Sequence, residues 1–507
     1  MRYLLKRRNL RKIIILGEKN KRLLKTIILF IILPLYSVTA GCAYMGVTSY
    51  PKVLQEKKHL LYEGKFNQAV QGSAGKYHVG NSQVLHFMEQ GMIYHIEGNY
   101  GASISSFEKA LSIIHDYEER AVISARDIAS QILTLPLNDN ALPYKGYPFE
   151  RVLVNTYQAF NYLLLGDIEK ARVEVRRADQ RQIKELERHH KEICEYERWG
   201  KKRGLSLADD SAFQRVQQQM QEASGSVLNS FQNAFTYYLS GLIYELNGEK
   251  GDAYIDYKKT YQLNPRFTCV QKDLLRLSKR LKFQQEYADW VSLFGHTEED
   301  EAVQPSESEA EMIIFYGDGF IPQKQQIKIT SHVGGILATI ALPVYDQQMI
   351  AQDGRHHAIR GLDNGKTLGY PSMVADLNIL AVKALREQLP IIFIRQAARI
   401  LSKTAVTKQA QKGNSGFAFL AASLYSMASE NADLRNWLLL PNNLQILRKR
   451  ISAGAHKFTW LLQSHSGLNL DKQDTSVILQ RGDVCLVNLR SIEDRLFCNL
   501  SIIHQTK

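Results

Sequence analysis

Three groupings of side chains carry residue types capable of chemistry. Gly413-Asn-Ser415-Gly416 is one residue short of Gly-x-Ser-x-Gly, the strained strand-to-helix turn that exposes a nucleophilic serine. No clear strand precedes it, so it reads as a turn. His189-His190 and Cys194 offer imidazole and thiolate donors from a charged helical stretch, but no second ligand pair completes a metal site. His356-His357 follows Asp353 in a glycine-bearing loop, either a weak metal site or plain surface. The chain has no P-loop, no Gly-x-Gly-x-x-Gly after a strand and no His-Glu-x-x-His. An acid/base pair cannot be selected from 51 Asp and Glu residues. No catalytic residue, metal ligand or cofactor is therefore assigned.

Length and composition set the frame for what positions these groups. The chain has 507 residues, 45% of them hydrophobic and 23% charged, the balance of a folded protein of several domains. Five cysteines are too few for a disulfide scaffold. The net charge of +13 would suit a nucleic-acid binder, but residues 1–25 hold ten Lys and Arg against Glu18 alone. That segment carries +9 and leaves +4 for the rest, so no nucleic-acid partner is expected.

The basic run is followed by the apolar stretch Thr26–Ala40, which has the length of a signal-peptide core and is interrupted by Pro34. Small residues then lead to a cysteine in Val38-Thr39-Ala40-Gly41-Cys42. This resembles the lipobox of bacterial lipoproteins, with Thr39 where leucine is usual. The resemblance implies cleavage after residue 41 and lipidation of Cys42. Several acyl chains anchor a protein stably without a spanning helix. Ala43 after the cysteine implies the outer membrane, on its periplasmic face.

An oxidising compartment permits disulfides. Cys485 and Cys498 lie in two apolar runs, and a hairpin folded about positions 491–492 would set them opposite each other. A Cys485–Cys498 disulfide and two buried thiols are the alternatives.

A repeat organises the first half. Tyr94, Tyr162 and Tyr244 are each followed by glycine at +4 (Gly98, Gly166, Gly248). A small residue stands at +9 (Ser103, Ala171, Ala253) and an apolar or aromatic one at +13 (Phe107, Val175, Tyr257). These offsets resemble the tetratricopeptide repeat: tyrosine packing in a first helix, glycine in the turn, and a small residue letting the second helix approach. The tyrosines are 68 and 82 residues apart, so long helical insertions must fill the gaps. Residues 167–203 read as one long charged helix with a solvated face, and Asp209–Glu222 as a second polar helix.

Between the first two repeats lies Asn138-Asp-Asn140-Ala-Leu-Pro-Tyr144-Lys-Gly-Tyr-Pro-Phe-Glu150-Arg151, a structured turn or binding loop. The order of lipobox, helix pair, this loop and Val173-Glu-Val-Arg176-Arg177-Ala-Asp-Gln180 resembles a family of poorly characterised Gram-negative TPR-containing outer-membrane lipoproteins. The likeness covers most of residues 40–345 and resumes at Ala432–Pro441 and Ala453–His456. It implies a signature patch of Asn138, Asn140, Tyr144, Glu150, Arg151, Arg176, Arg177 and Gln180. It also implies genes beside those of cell-wall-synthesis activator lipoproteins. Arg176 or Arg177 offers bidentate donors to a carboxylate of a peptide or glycan. The structural alternative folds the loop back onto the repeat, with Glu150 paired to an arginine.

The second half changes period. Residues 297–310 are acidic and read as a linker. Strand patterns follow at Met312–Tyr316, Gln326–Thr330 and Gly335–Val344, then at Leu444–Leu447, Lys457–Leu462, Ser476–Leu479, Val484–Leu489 and Arg495–Ile503. Residues 346–371 read as loop and 372–430 as a helical insertion, where Arg395, Arg399 and Lys403 make a basic stripe. That stripe suits an anionic lipid surface or simply water.

The expected organisation is α+β multidomain. Residues 1–41 are a lipoprotein-type signal peptide, 42–296 a TPR-like helical repeat domain and 297–310 the linker. Residues 311–507 form an antiparallel β-sandwich-like domain with the insertion at about 372–430. The expected function is a lipid-anchored periplasmic scaffold whose helices offer a concave surface to a cell-envelope protein, with cell-wall synthesis its implied setting. The alternative is a receptor or enzyme acting on peptidoglycan or another envelope glycan.

Overall fold

The computed structural model describes residues 50–71, 81–123, 139–205, 207–225, 230–295, 309–333, 336–346, 357–411 and 431–504. The chain divides into Met1–Val53 and Leu54–Lys507, and of the first only residues 50–53 are described, as the start of a helix. The signal peptide, Cys42, Asn138, Asp353, His356, Gly413–Gly416 and nearly all of the linker lie outside the described residues.

Helices come first and pair as the offsets require. They are α1 (Tyr50–Tyr62), α2 (Phe66–Gln71), α3 (Gln83–Glu97), α4 (Tyr100–Ile123), α5 (Pro148–Leu164) and α6 (Ile168–Lys201). After α7 (Ser211–Ser224) come α8 (Ala234–Leu246), α9 (Lys250–Leu263), α10 (Thr268–Arg280) and α11 (Gln284–Phe294). In the pairs α3/α4, α5/α6 and α8/α9, the turn glycine has φ of 86°, 77° and 84°, a left-handed conformation that glycine adopts without strain. The next residue's N–H then donates to the tyrosine carbonyl: Asn99 to Tyr94, Asp167 to Tyr162, Glu249 to Tyr244, at 2.8–2.9 Å. Ser103, Ala171 and Ala253 are fully buried, as are Phe107 and Tyr257. The three tyrosines are only half-buried and stand at the helix ends rather than within the pairs.

The same turn recurs twice where the side-chain pattern is weaker. Lys65 N–H donates to Leu60 O with Gly64 in the turn, joining α1 to α2. Phe283 N–H donates to Ser278 O, joining α10 to α11, with Lys282 taking the left-handed position at φ 61°. The long charged helix is α6 and the second polar helix is α7, opened by Asp167 and Asp210, whose carboxylates accept the N–H of Lys170 and Phe213.

The second half is antiparallel-rich. Strands β1 (Glu309–Asp318), β7 (Asn443–Ser452), β6 (Ser372–Asp376), β10 (Val484–Ile492) and β11 (Arg495–Ile503) form a five-stranded sheet in the order β11-β10-β1-β7-β6. Its central pair β1/β10 is parallel, a departure from the all-antiparallel expectation. Strands β5 (Lys366–Gly369), β4 (Ala358–Asp363), β8 (Gly454–Gln463) and β9 (Asn469–Leu479) form a second sheet in that order. Met312, Ile314, Tyr316, Cys485 and Val487 of the first sheet share one core with Phe458, Trp460 and Leu462 of the second, which is the sandwich. A two-stranded ribbon, β2 (Gln325–Val333) with β3 (Ile336–Val344), stands apart from both.

Several expectations need correction. Residues 346–371 are not all loop, because β4 and β5 form a hairpin there, turned by Asn364-Gly365 with both residues left-handed. The insertion opens with strand β6, and its helix α12 runs Leu377–Gln411. The β10/β11 hairpin turns at 493–494, two residues beyond the expected centre. Cys485 therefore faces Ile502, Cys498 faces Leu489, and both thiols are free, so the disulfide is not formed. Arg395 and Arg399 of α12 do not form a free basic stripe. Arg399 is buried and paired with Asp139 at 2.6 Å, and Arg395 donates to Tyr196 Oη at 3.2 Å. The Lys403 side chain lies outside the described residues. No described helix is long and apolar enough to cross a membrane.

The small-residue seam yields a prediction. A Cβ at Gly91 of α3 would lie 2.5 Å from the buried Phe107 ring of α4. Gly91→Ala should cost about 1–3 kcal/mol by overpacking, read as a lower midpoint in urea with an unchanged slope. An unchanged midpoint would mean that the helices are not in this contact.

Candidate functional site

The inner face of the helical repeat is covered by the chain's own second half. On β1, alternate residues face the helices, and Phe315 lies 4.6 Å from Phe160 of α5 and 6.4 Å from Phe235 of α8, ring to ring. Arg448 of β7 pairs with Glu245 of α8 and Asp273 of α10, at 3.0 and 2.9 Å. Asn264 after α9 donates to the carbonyls of Met373 and Val374 of β6. The five-stranded sheet is thus a middle layer, which explains why every residue of β10 is buried. The expected open concave surface is filled.

Where the sheet does not reach, the segment Ala432–Pro441 does. It runs into β7 and is gripped like a bound peptide. Arg435 donates to the carbonyls of Asn81 and Leu142 at 2.9 and 3.0 Å, and its guanidinium is steadied by Asp433 at 2.7 Å. Trp437 N–H donates to Glu150 Oε1 at 2.8 Å, and Leu438 N–H to Glu89 Oε1 at 2.9 Å. The Trp437 indole is fully buried, its ring 5.7 Å from Phe107 and 6.0 Å from Tyr157.

The loop before α5 builds this grip. Pro148 opens the helix, and Glu150 in its first turn accepts the Tyr147 N–H at 2.7 Å. Glu150 also accepts from the Tyr144 hydroxyl, so all its donors are neutral. Burial raises its pKa, against the pull of those hydrogen bonds. Nearby, Lys324 is fully buried, donates to Tyr147 Oη at 2.9 Å and Asp433 O at 3.1 Å, and is pushed down to about 8 by desolvation. Arg151 points the other way. It pairs with buried Glu185 of α6 and donates to the Lys145 carbonyl, tying the loop to the long helix.

The expected patch therefore splits. Asn140, Tyr144 and Glu150 converge at this seam, with Asn140 Nδ2 donating to Ala432 O at 3.3 Å, while Arg151 turns from it to Glu185. Arg176, Arg177 and Gln180 lie on the opposite, exposed face of α6. The loop does fold back on the repeat, but among the described residues Glu150 pairs with no arginine, because Arg151 turns to Glu185 instead. The charged helix α6 is also less solvated than its composition suggested, since Glu174, Gln182, Glu185 and His189 are buried. His189 packs 5.0 Å from the Phe231 ring, while Cys194 is exposed. His357 Nδ1 donates to Asp318 Oδ1 at 2.9 Å, which raises the histidine's pKa.

A second polar line crosses the same interface and was not anticipated. Asn488 of β10 contacts His95 Nε2 at 3.2 Å, and His95 Nδ1 meets Asn161 Oδ1 at 2.7 Å. Asn161 donates to Ser103, and Ser103 to the Gly91 carbonyl. Burial lowers His95 to about 4, so the ring is neutral at pH 7. Polar residues inside apolar runs, such as Asn161 in Ala159–Leu165 and Asn488 in Val484–Leu489, were the available signal.

Comparison with known proteins agrees with the helix pairing. A tetratricopeptide repeat model matches residues 87–116, within α3 and α4, so the chain contains a TPR. No curated protein matches it. A crystal structure of MamA is similar at 13% identity and a TM-score of 0.26, over 46% of this chain and 90% of that one, too distant a likeness to define the fold.

Two outcomes follow from the seam. Trp437→Ala should destabilise the chain by about 3–5 kcal/mol in equilibrium denaturation, and a loss below about 1 kcal/mol would show that the indole is not a core anchor. The folded-state pKa of His95 is about 4 against an ordinary 6.5, so its contribution is complete above 6.5 and is lost as pH falls towards 4. The stability gap between the parent chain and His95→Gln should narrow by up to about 3 kcal/mol over that window, whereas a constant gap would contradict the buried neutral ring.

Proposed function

We propose that this chain is a scaffold that docks a cell-envelope protein on the outer face of its second helix pair. The reading includes a lipid anchor at Cys42, on the periplasmic side of the outer membrane, with the cell-wall synthesis machinery the first place to look for the partner. The observation that carries it is the stripe on α6. Val173 and Ile183 are 45% and 56% exposed, and they flank Arg176, Arg177 and Gln180 on one face. TPR helices commonly serve protein recognition, and here the inner face is already taken, which leaves this outer stripe.

The stripe has the composition of an interface, with aliphatic contacts beside arginines that can pair with carboxylates. Arg176 reaches Tyr244 Oη at 3.3 Å and Glu249 at 3.5 Å, and Arg177 reaches Glu174 at 2.5 Å. Both guanidiniums are exposed and can be exchanged onto a partner's groups, and the buried Glu174 keeps its hydrogen bond from Asn155 at 3.0 Å.

In-cell crosslinking of the tagged protein tests this, beside Cys42→Ser and the double change Arg176→Ala with Arg177→Ala. One envelope protein should be captured by the parent and lost from both variants, with the melting of the double variant unchanged. Equal capture by the double variant would overturn the outer-face assignment. Capture of glycan fragments instead of a protein would favour a receptor.

A further inference from the structure

We propose that Lys145, Arg188 and Arg395, backed by the buried charge of Arg151, form a binding site for a phosphate-bearing anion, at the rim where the 142–147 loop, α5, α6 and α12 meet. This site is separate from the α6 stripe and does not depend on the partner reading. Cations from four elements converge here with too few carboxylates to balance them. Arg151 is committed to Glu185 and donates to the Lys145 carbonyl at 3.3 Å. Arg188 spreads over Glu192 at 3.4 Å, Glu118 at 3.5 Å and Glu185 at 4.0 Å. Glu118 is itself shared with Arg181 and Lys184 at 3.1 and 2.7 Å. Arg395 rests on the Tyr196 ring and hydroxyl, and the carboxylate nearest its helix, Asp139, is taken by Arg399.

Among the described residues, no carboxylate lies within ion-pair distance of Lys145 or Arg395. Four cations thus face Glu185 and Glu192, with Glu118 already shared. Lys145 is exposed, and its ammonium is held below the ordinary lysine range by partial desolvation, then by the fields of Arg188, Arg395 and Arg151, with Glu192 opposing. Arg188 is lowered chiefly by Arg151. Against desolvation, Tyr196 and Asp139 hold Arg395, and Glu185 holds Arg151, above the ordinary arginine range, so the repulsion falls on Lys145 and Arg188, at a cost that a bound anion removes. The excess suits a dianion, and planar guanidiniums beside a point-charge ammonium suit phosphate oxygens.

The test uses the full chain with inorganic pyrophosphate, and with phosphatidylcholine vesicles with or without phosphatidylglycerol. Saturable pyrophosphate binding should weaken about tenfold or more in Lys145→Gln, persist in Lys145→Arg, and decline as salt is added. Without ligand, Lys145→Gln should melt at or above the parent, because a repelled cation has been removed. Lys145-dependent retention on phosphatidylglycerol vesicles would identify a lipid headgroup as the source, and pyrophosphate binding without it a soluble phosphate. Absence of saturable binding to either probe, equal binding by Lys145→Gln, or a lower melting temperature for that variant would overturn the proposal.

Discussion

A sheet buried on both faces is the constraint on which the rest of this structure depends. Strands β1 and β10 have the second sheet on one side and the first helices of the TPR-like pairs on the other. No backbone or side-chain polar group in this layer can rely on water, so each needs a partner within the protein. Glu150 and Glu89 meet that need where Ala432–Pro441 enters the sheet without a neighbouring strand, by accepting the N–H groups of Trp437 and Leu438. Desolvating a carboxylate is costly, and the several neutral donors converging on Glu150 offset it.

The helices obey a complementary rule. Each pair closes because a small residue on one helix admits a large one from the other. Gly91 admits Phe107, and Gly241 admits Tyr257. The pairs then present their first helices inward, and Phe160, Phe235 and His95 become part of the sheet's own core. A TPR groove that elsewhere would be free for a ligand is here part of an intramolecular interface. This leaves the α6 stripe and the basic rim, on outer surfaces, as the proposed places of recognition.

How much of this was legible in the sequence follows from the range of the interactions. Tyr94, Gly98, Ser103 and Phe107 lie within one helix pair, so their spacing disclosed the turn and the packing directly. The pair α10/α11 escaped because Ser278 and Lys282 stand where tyrosine and glycine mark the others, although the backbone makes the same turn. Apolar runs and alternation found β1, β2, β3, β7, β8, β10, β11 and the end of β9, but β4 and β5 are short and interrupted by Gly361 and charged residues. Their Asn364-Gly365 turn is the one local signal of that hairpin. The seam was legible only in halves. The loop around Asn140–Arg151 and the stretch Ala432–Pro441 were both conspicuous, yet nothing local says that Glu150 accepts from Trp437, 287 positions away. Arg399 looked like surface charge because its partner, Asp139, is 260 positions away.

The claim that the helical repeat and the sheet are one cooperative body is tested most directly by native-state hydrogen exchange across a denaturant series. Amides of α3, α5 and α8 should open with the same free energy and the same denaturant dependence as those of β1 and β10, in one global event. Helices that exchange through a separate opening of lower free energy, while β1 and β10 stay protected, would contradict it and return the inner face of the repeat to the surfaces open to a partner.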